Sequence, residues 1–344
     1  MNLPFHIVTR LHGIGGSETH AAALAKALSA NGKPVQLWGD SRSPNASACG
    51  GISISPFQGR FPKGGTLILI GTHFSVEPWI DYAKPERIIV VSNTSNPLQL
   101  FETLTLLERP ALPTIELVYM SPRLRETTGL PGQICPTLID LERFAPCPER
   151  KNTAYCAGRH SRDTLDKHHP DDPSIYRLIG WRGGRTRIMG GTCLEATLGD
   201  EPSAELLPVG SEKPEDFLAT LDVFFYRTHP TLHEAAGRAV MEALACGLPV
   251  IAHESGGYTD WIEQANNGFV FSTQEQAFEH LALLQENPVI RKKMAANART
   301  SAERLSGQNS RQQYLDWLCT PRTAHFLKTS EPSTLPSTPP AFIS

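Results

Sequence analysis

The chain has 344 residues, more than one ordinary core needs and enough for two domains. Hydrophobic residues make up 40%, aromatics 8% and charged residues 19%, which excludes a disordered chain and a membrane-embedded one. A net charge of -3 supplies no global basic field, which argues against nucleic acid as a partner.

The chain opens MNLPFHIVTRLHGIGG, without a basic start or a long apolar run, so no signal peptide is expected. No stretch approaches about 18 consecutive apolar residues, so none is expected to span a membrane. Cysteines stand at 49, 135, 147, 156, 193, 246 and 319, an odd number with no C-x-x-C pair. That pattern signals neither a zinc site nor a disulfide framework, and reads as reduced thiols in a cytoplasmic protein.

Short apolar runs then alternate with helical patterns. Phe5–Val8 reads as a strand, followed by a glycine-rich turn and a helix from about Ser17 to Ala30. The apolar residues Ala21, Leu24, Ala25 and Leu28 of that helix recur at helical spacing, and Asn31-Gly32 closes it. Further strands are predicted at Pro34–Trp38, Thr66–Ile70, Arg87–Val91 and Ile115–Tyr119. LIDLERFAPCP, around Asp140–Pro148, reads as a linker, after which the pattern restarts with a strand at Thr153–Ala157. Arg185–Met189, Glu205–Leu207, Asp222–Tyr226, Pro249–Ala252 and Gly268–Phe271 follow. Two tandem α/β domains result, each a doubly wound parallel sheet whose carboxyl edge binds ligands. Helices at about Pro288–Leu305 and Ser310–Leu318 end the folded part, and the proline-, serine- and threonine-rich segment from 320 to 344 reads as a disordered tail.

Three segments carry the chemistry. In HEAAGRAVMEALACGLPVIAHESGG (233–257), Glu234 and Glu242 are eight positions apart, and Ala235–Ala245 reads as a helix stopped by Gly247. Eight helical steps advance roughly 12 Å, so the two carboxylates would hold two ends of an extended ligand. The free N–H groups near Gly237, Arg238 and Ala239 would bind a diphosphate between them. GIGGSETH (13–20) fails as a dinucleotide fingerprint, because Glu18 replaces its third glycine, yet a strand–Gly15–Gly16–helix turn suits a phosphate or sugar. CAGRHSRDTLDKHHPDDP (156–173) gathers Arg159, Arg162 and Lys167; its His168, His169, Asp171 and Asp172 look like metal ligands but read as a polar loop and helix start.

In this order, these segments resemble the retaining glycosyltransferases of the GT-B fold, family four. The resemblance covers the chain to about Leu318 and is specific from 153 to 271. It implies two Rossmann-like domains facing across a cleft: 1–145 on the acceptor side and 146–305 on the donor side, with a C-terminal helix at 306–319. It implies transfer of a sugar from a nucleotide-diphosphate donor, with retained configuration and no metal or cofactor. Glu234 would face the sugar and its anomeric carbon, Glu242 the ribose, and Arg159 with Lys167 or Arg162 the diphosphate. Gly15 and Gly16 would face the donor from the first domain, and Val209 the base. His73 and Asn93 stand after the strands where relatives carry sugar contacts, with Asn93 in place of a histidine. A glycan or lipid-linked acceptor in cell-envelope polysaccharide synthesis follows by the same likeness, with peripheral contact at the inner face of the membrane if the acceptor is a lipid.

Rival readings are a sugar-nucleotide epimerase, a non-catalytic sugar-nucleotide-binding protein and an NAD-dependent oxidoreductase. The last is favoured by Asp40, at the distance expected of a ribose-binding acid, but lacks the complete glycine fingerprint.

Overall fold

The computed structural model describes residues 3–12, 15–40, 43, 46–72, 77–147 and 154–320. His73 and the segment 321–344 therefore lie outside the described residues.

The first half builds β1 (Phe5–Thr9), β2 (Val35–Gly39), β3 (Ile52–Ser53), β4 (Thr66–Ile70), β5 (Arg87–Ser92), β6 (Ile115–Tyr119) and β7 (Gln133–Ile134). They pair in parallel in the order β3-β2-β1-β4-β5-β6-β7. Near-continuous apolar strands such as Thr66–Ile70 suit this sheet, because both faces are covered. Ile7, Ile68, Ile70, Ile89, Val91 and Val118 face one core. Their neighbours Val8, Leu67, Leu69, Ile88, Val90 and Leu117 face the other. The helices are α1 (Gly16–Ala30), α2 (Trp79–Ala83), α3 (Pro97–Leu107) and α4 (Pro122–Thr128). As the sequence predicts, Asn31 caps α1 and Gly32 follows with a φ of 68°.

The second half repeats the plan with β8 (Cys156–His160), β9 (Arg185–Met189), β10 (Ala204–Leu207), β11 (Val223–Tyr226), β12 (Val250–His253) and β13 (Gly268–Phe271). Their order is β10-β9-β8-β11-β12-β13, again parallel. The helices are α5 (Asp172–Trp181), α6 (Glu195–Leu198), α7 (Pro214–Ala219), α8 (Arg238–Ala245), α9 (Gln274–Glu286), α10 (Pro288–Ser306) and α11 (Gln308–Cys319). β8 lies three residues beyond the Thr153–Ala157 predicted from apolar content. It carries Gly158 and Arg159 into the sheet interior, which is possible because a buried acid meets the arginine there.

The chain ends by crossing back. Tyr314, Leu315 and Leu318 of α11 join the core of the first sheet. Arg87 donates to the Leu318 carbonyl at 2.6 Å, holds Glu116 at 2.6 and 2.9 Å, and stacks 4.7 Å over the Trp317 ring. In each sheet the strand order reverses direction once, at β1/β4 and at β8/β11, and crevices for ligands form at such points. Among the described residues, no helix is long and apolar enough to cross a membrane.

Candidate active site

At the second reversal β8 and β11 each release a loop at the carboxyl edge. The two loops are joined by the His229 N–H donating to the Asp166 carbonyl at 3.1 Å. Beneath them lies a buried ion network. Arg159 has no exposed surface; it donates to the Arg227 carbonyl at 2.5 Å and to the Lys167 carbonyl at 2.6 Å, over the Tyr226 ring. Asp172, equally buried, accepts from Arg227 Nε at 2.8 Å, pairs with Arg227 Nη2 at 2.6 Å and lies 3.8 Å from Arg159. Burial pushes the Asp172 carboxyl up, and Arg227 and Arg159 pull it back down.

In this placement Arg159, expected at the diphosphate, supports the loop that carries Lys167 from beneath. Lys167 ends a short 3-10 turn, Leu165–Lys167, and its Nζ contacts Glu234 Oε1, with each side chain 13% exposed. Residues far apart in sequence thus meet where β8 and β11 diverge. Arg162 turns away, largely exposed, to pair with Asp166 at 3.4 Å.

Of the histidines and acids of the same loop, His169 lies 3.7 Å from the Asp171 carboxylate and its backbone N–H donates to Asp172 Oδ2 at 3.4 Å, while His168 lies apart from them. His168 is buried with Nε2 2.9 Å from the Gly190 carbonyl, and burial, then Arg159, pushes it down to about 4. Asp171 immediately precedes α5, which Asp172 begins. Among the described residues no group of three or more His, Cys, Asp or Glu could hold a metal ion.

The Glu234 segment differs from the predicted helix. α8 begins at Arg238, because Gly237 takes a left-handed conformation (φ 64°, ψ 65°) that ends the loop sharply. A Cβ on Gly237 would lie 2.6 Å from Tyr258 Cδ1, so the position also demands glycine for space. Glu234 therefore stands on the loop before the helix, and helical rise does not set its distance from Glu242. No side chain caps α8, which leaves its first N–H groups for a ligand. The Gly257 N–H donates to the Glu234 carbonyl at 2.8 Å, and a Cβ on Gly257 would collide with the Ala235 carbonyl. Tyr226 packs beneath; burial, and then the Glu234 charge, raise its hydroxyl well above the ordinary tyrosine range.

Glu242, on α8, is 7% exposed. Its Oε1 accepts from Arg238 Nε at 2.9 Å, and its Oε2 lies 3.4 Å from His160 Nε2. Burial lowers His160, and the neighbouring Glu242 opposes that shift. Arg238 thus lies along its own helix, with its far end 3.5 Å from the Leu138 carbonyl. Ala239 packs against the second domain's core, and Val209 stands exposed after β10.

On the first sheet, Gly15 precedes α1 in extended conformation, no side chain caps the helix, and a Cβ on Gly16 would meet open space. Asn93 Nδ2 donates to Ser17 Oγ at 2.7 Å, which brings the predicted acceptor-side residue to the Gly15–Gly16 turn. Asp40 is turned inward, 2% exposed, and accepts from Ser43 Oγ at 2.7 Å.

Sequence reasoning missed His160, Arg227 and Tyr258, and read Asp172 as a helix start without its buried arginine partners. One signal was available: Arg227 directly follows the apolar run Val223–Tyr226, and an arginine so placed calls for a buried acid.

Known proteins support the same region. Residues 205–301 match the family described as Glycosyl transferases group 1. The alpha-monoglucosyldiacylglycerol synthase of Acholeplasma laidlawii is 27% identical over 166 residues, 47% of this chain and 37% of that protein. The lipopolysaccharide glucosyltransferase WaaG of Escherichia coli (strain K12) is 34% identical over 97 residues, 27% of this chain and 25% of that protein. The matches thus span well under half the length of these curated relatives. Among solved structures, Anabaena Alr3699/HepE in complex with UDP-glucose superposes with a TM-score of 0.70 at 14% identity, covering 92% of this chain and 99% of that one. The structure of WaaG, a glycosyltransferase involved in lipopolysaccharide biosynthesis, gives 0.65 at 15% identity, covering 91% and 99%. These two likenesses show the fold.

Proposed function

We propose that this chain, which matches the family described as Glycosyl transferases group 1 over residues 205–301 and has the GT-B fold, moves a sugar from a nucleotide-diphosphate donor to a hydroxyl of a glycan or lipid-linked acceptor, with retention at the anomeric carbon. The observation that carries this reading is the meeting of Lys167 and Glu234 beside the uncapped start of α8.

The chemistry follows from that arrangement. A diphosphate at the start of α8 is held by backbone N–H groups and by Lys167, whose three donors reach both Glu234 and a phosphate oxygen. Glu234 faces the sugar, where its carboxylate supports the positive charge that grows at the anomeric carbon. Lys167 and the helix start stabilise the charge that grows on the leaving diphosphate. The leaving phosphate takes the acceptor proton on the same face, which retains configuration. Glu242, exchanging Arg238 for ribose hydroxyls, anchors the nucleoside. A lysine and a helix start suffice for the diphosphate, so no divalent ion is required. UDP-glucose bound to a protein of the same fold, and relatives named for glycolipid and lipopolysaccharide synthesis, support a sugar-nucleotide donor and an envelope acceptor. Such an acceptor suits a cytoplasmic enzyme touching the inner face of the membrane.

The test is turnover of UDP-, GDP- and ADP-glucose with diacylglycerol vesicles and with lipopolysaccharide core as acceptors, in the presence and absence of EDTA. Glycosylated product with the donor's anomeric configuration by proton NMR, at an EDTA-independent rate, is expected. Donor isomerisation without transfer would sink the reading in favour of an epimerase, and an inverted product would sink retention.

A further inference from the structure

The loop that presents Glu234 is held through four successive carbonyls, from two sides. The Glu234 carbonyl accepts from the Gly257 N–H at 2.8 Å, and the Ala236 carbonyl from Trp261 Nε1 at 3.1 Å; both donors belong to the second domain. The other two donors belong to the first. Ser95 Oγ donates to the His233 carbonyl at 2.5 Å, and Ser121 Oγ to the Ala235 carbonyl at 3.0 Å. Ser95 follows β5 and Ser121 follows β6, so both stand on the carboxyl edge of the first sheet.

Ser121 is fully buried, and its hydroxyl oxygen accepts from the Leu124 N–H at 3.2 Å as the cap of α4. Its only proton points to the other domain, where the Ala235 carbonyl and the Asp260 carboxylate both stand within reach of it. Beside it the Arg123 N–H donates to Asp260 Oδ2 at 2.8 Å and Arg123 Nη1 to the Glu254 carbonyl at 2.8 Å. The first domain thus grips both the Glu234 loop and the Gly257–Trp261 turn that buttresses it.

We infer that Ser95 and Ser121 are positioning residues for Glu234. The acceptor-side domain holds the donor-side carboxylate in line with Lys167, and the alignment exists only while the two sheet edges are closed on one another. Separating the domains removes two of the four holds and leaves the loop anchored at Glu234 and Ala236 alone. This rests on the reading of Glu234 as the group facing the anomeric carbon. A half-assembled site is then released when the domains part, which ties transfer to the presence of both halves.

The experiment is steady-state kinetics of the full chain carrying Ser95→Ala, Ser95→Ala with Ser121→Ala, and Ser95→Thr, beside Glu234→Gln. Calorimetry measures affinity for whichever of UDP, GDP and ADP binds. The expected result is a tenfold or greater loss of kcat in the double variant, with donor KM and diphosphate affinity within about twofold of the parent. Ser95→Ala alone falls in the same direction, and Ser95→Thr, which keeps the hydroxyl, restores the rate. An inactive Glu234→Gln beside serine variants of unchanged kcat would overturn the positioning role and leave the functional reading standing. Loss of diphosphate affinity in step with kcat would overturn it too, as general damage to the site. A fully active Glu234→Gln would overturn the functional reading, and the serines' role with it.

Discussion

On the carboxyl edge of the first sheet stand Gly15, Gly16, Ser17, Asn93, Ser95 and Ser121; on that of the second stand Lys167, Arg227 and Glu234, with Arg238 and Glu242 on the helix behind. The two sheets share a topology, and the centres of their edges carry different chemistry. Between Gly15 and Asn93 the first edge offers small groups and a neutral hydrogen bond, Asn93 to Ser17, with its charged Arg10, Glu18 and Arg123 at the flanks. The second offers charges that pair with one another, Lys167 with Glu234 and Arg238 with Glu242, above the buried pair of Arg227 and Asp172. An edge of paired charges accepts a charged ligand by exchanging partners, and desolvation keeps those charges strong. A neutral centre suits sugar hydroxyls. The difference teaches that duplicating a fold does not duplicate its chemistry, and it supports placing the donor on the second domain and the acceptor on the first.

The largest effect should come from beneath the charged edge. Arg227→Met leaves Asp172 buried with only the more distant Arg159, and breaking such a pair costs about 3–5 kcal/mol. Urea denaturation should show that loss together with weaker diphosphate binding. An unchanged midpoint would mean that the two loops do not depend on the network.

Next comes the division between the carboxylates. Glu234→Gln should lower kcat on the order of 10²- to 10³-fold, the scale of losing one electrostatic partner of a transition state, with smaller change in donor KM. Glu242→Gln should chiefly raise donor KM, by roughly 1–3 kcal/mol, because its hydrogen bonds persist in ground and transition states alike. The reverse pattern in kinetics at saturating acceptor would mean that the ligand runs the opposite way past α8.

The smallest effects test the comparison itself. Lys167→Ala should weaken nucleoside-diphosphate binding by about 1.5–3 kcal/mol, as a lost charge-assisted contact does. Asn93→Ala should leave that affinity alone and weaken acceptor use by about 0.5–1.5 kcal/mol, the worth of a neutral hydrogen bond. Equal losses of diphosphate affinity in both variants, by calorimetry, would erase the assignment of donor and acceptor to separate edges.

The sequence by itself determined the two sheets, since strands such as Thr66–Ile70, Ile115–Tyr119, Arg185–Met189 and Gly268–Phe271 stand where the apolar runs end. Periodicity and turn residues are local, and local signals survive without coordinates. Through its family resemblance it also marked Glu234, together with Lys167 or Arg162, as members of one site. Only the tertiary structure decided what those residues face. α8 starts at Arg238 because Gly237 meets Tyr258, a contact that sequence separation conceals. Arg159 turns inward because Asp172, on a different element, neutralises it there. Ser95 and Ser121 reach the Glu234 loop because the second domain folds against the first, and α11 crosses back to seal the first core. A side chain's partner is fixed by free energy summed over every element that packs around it, and no window of sequence contains that sum.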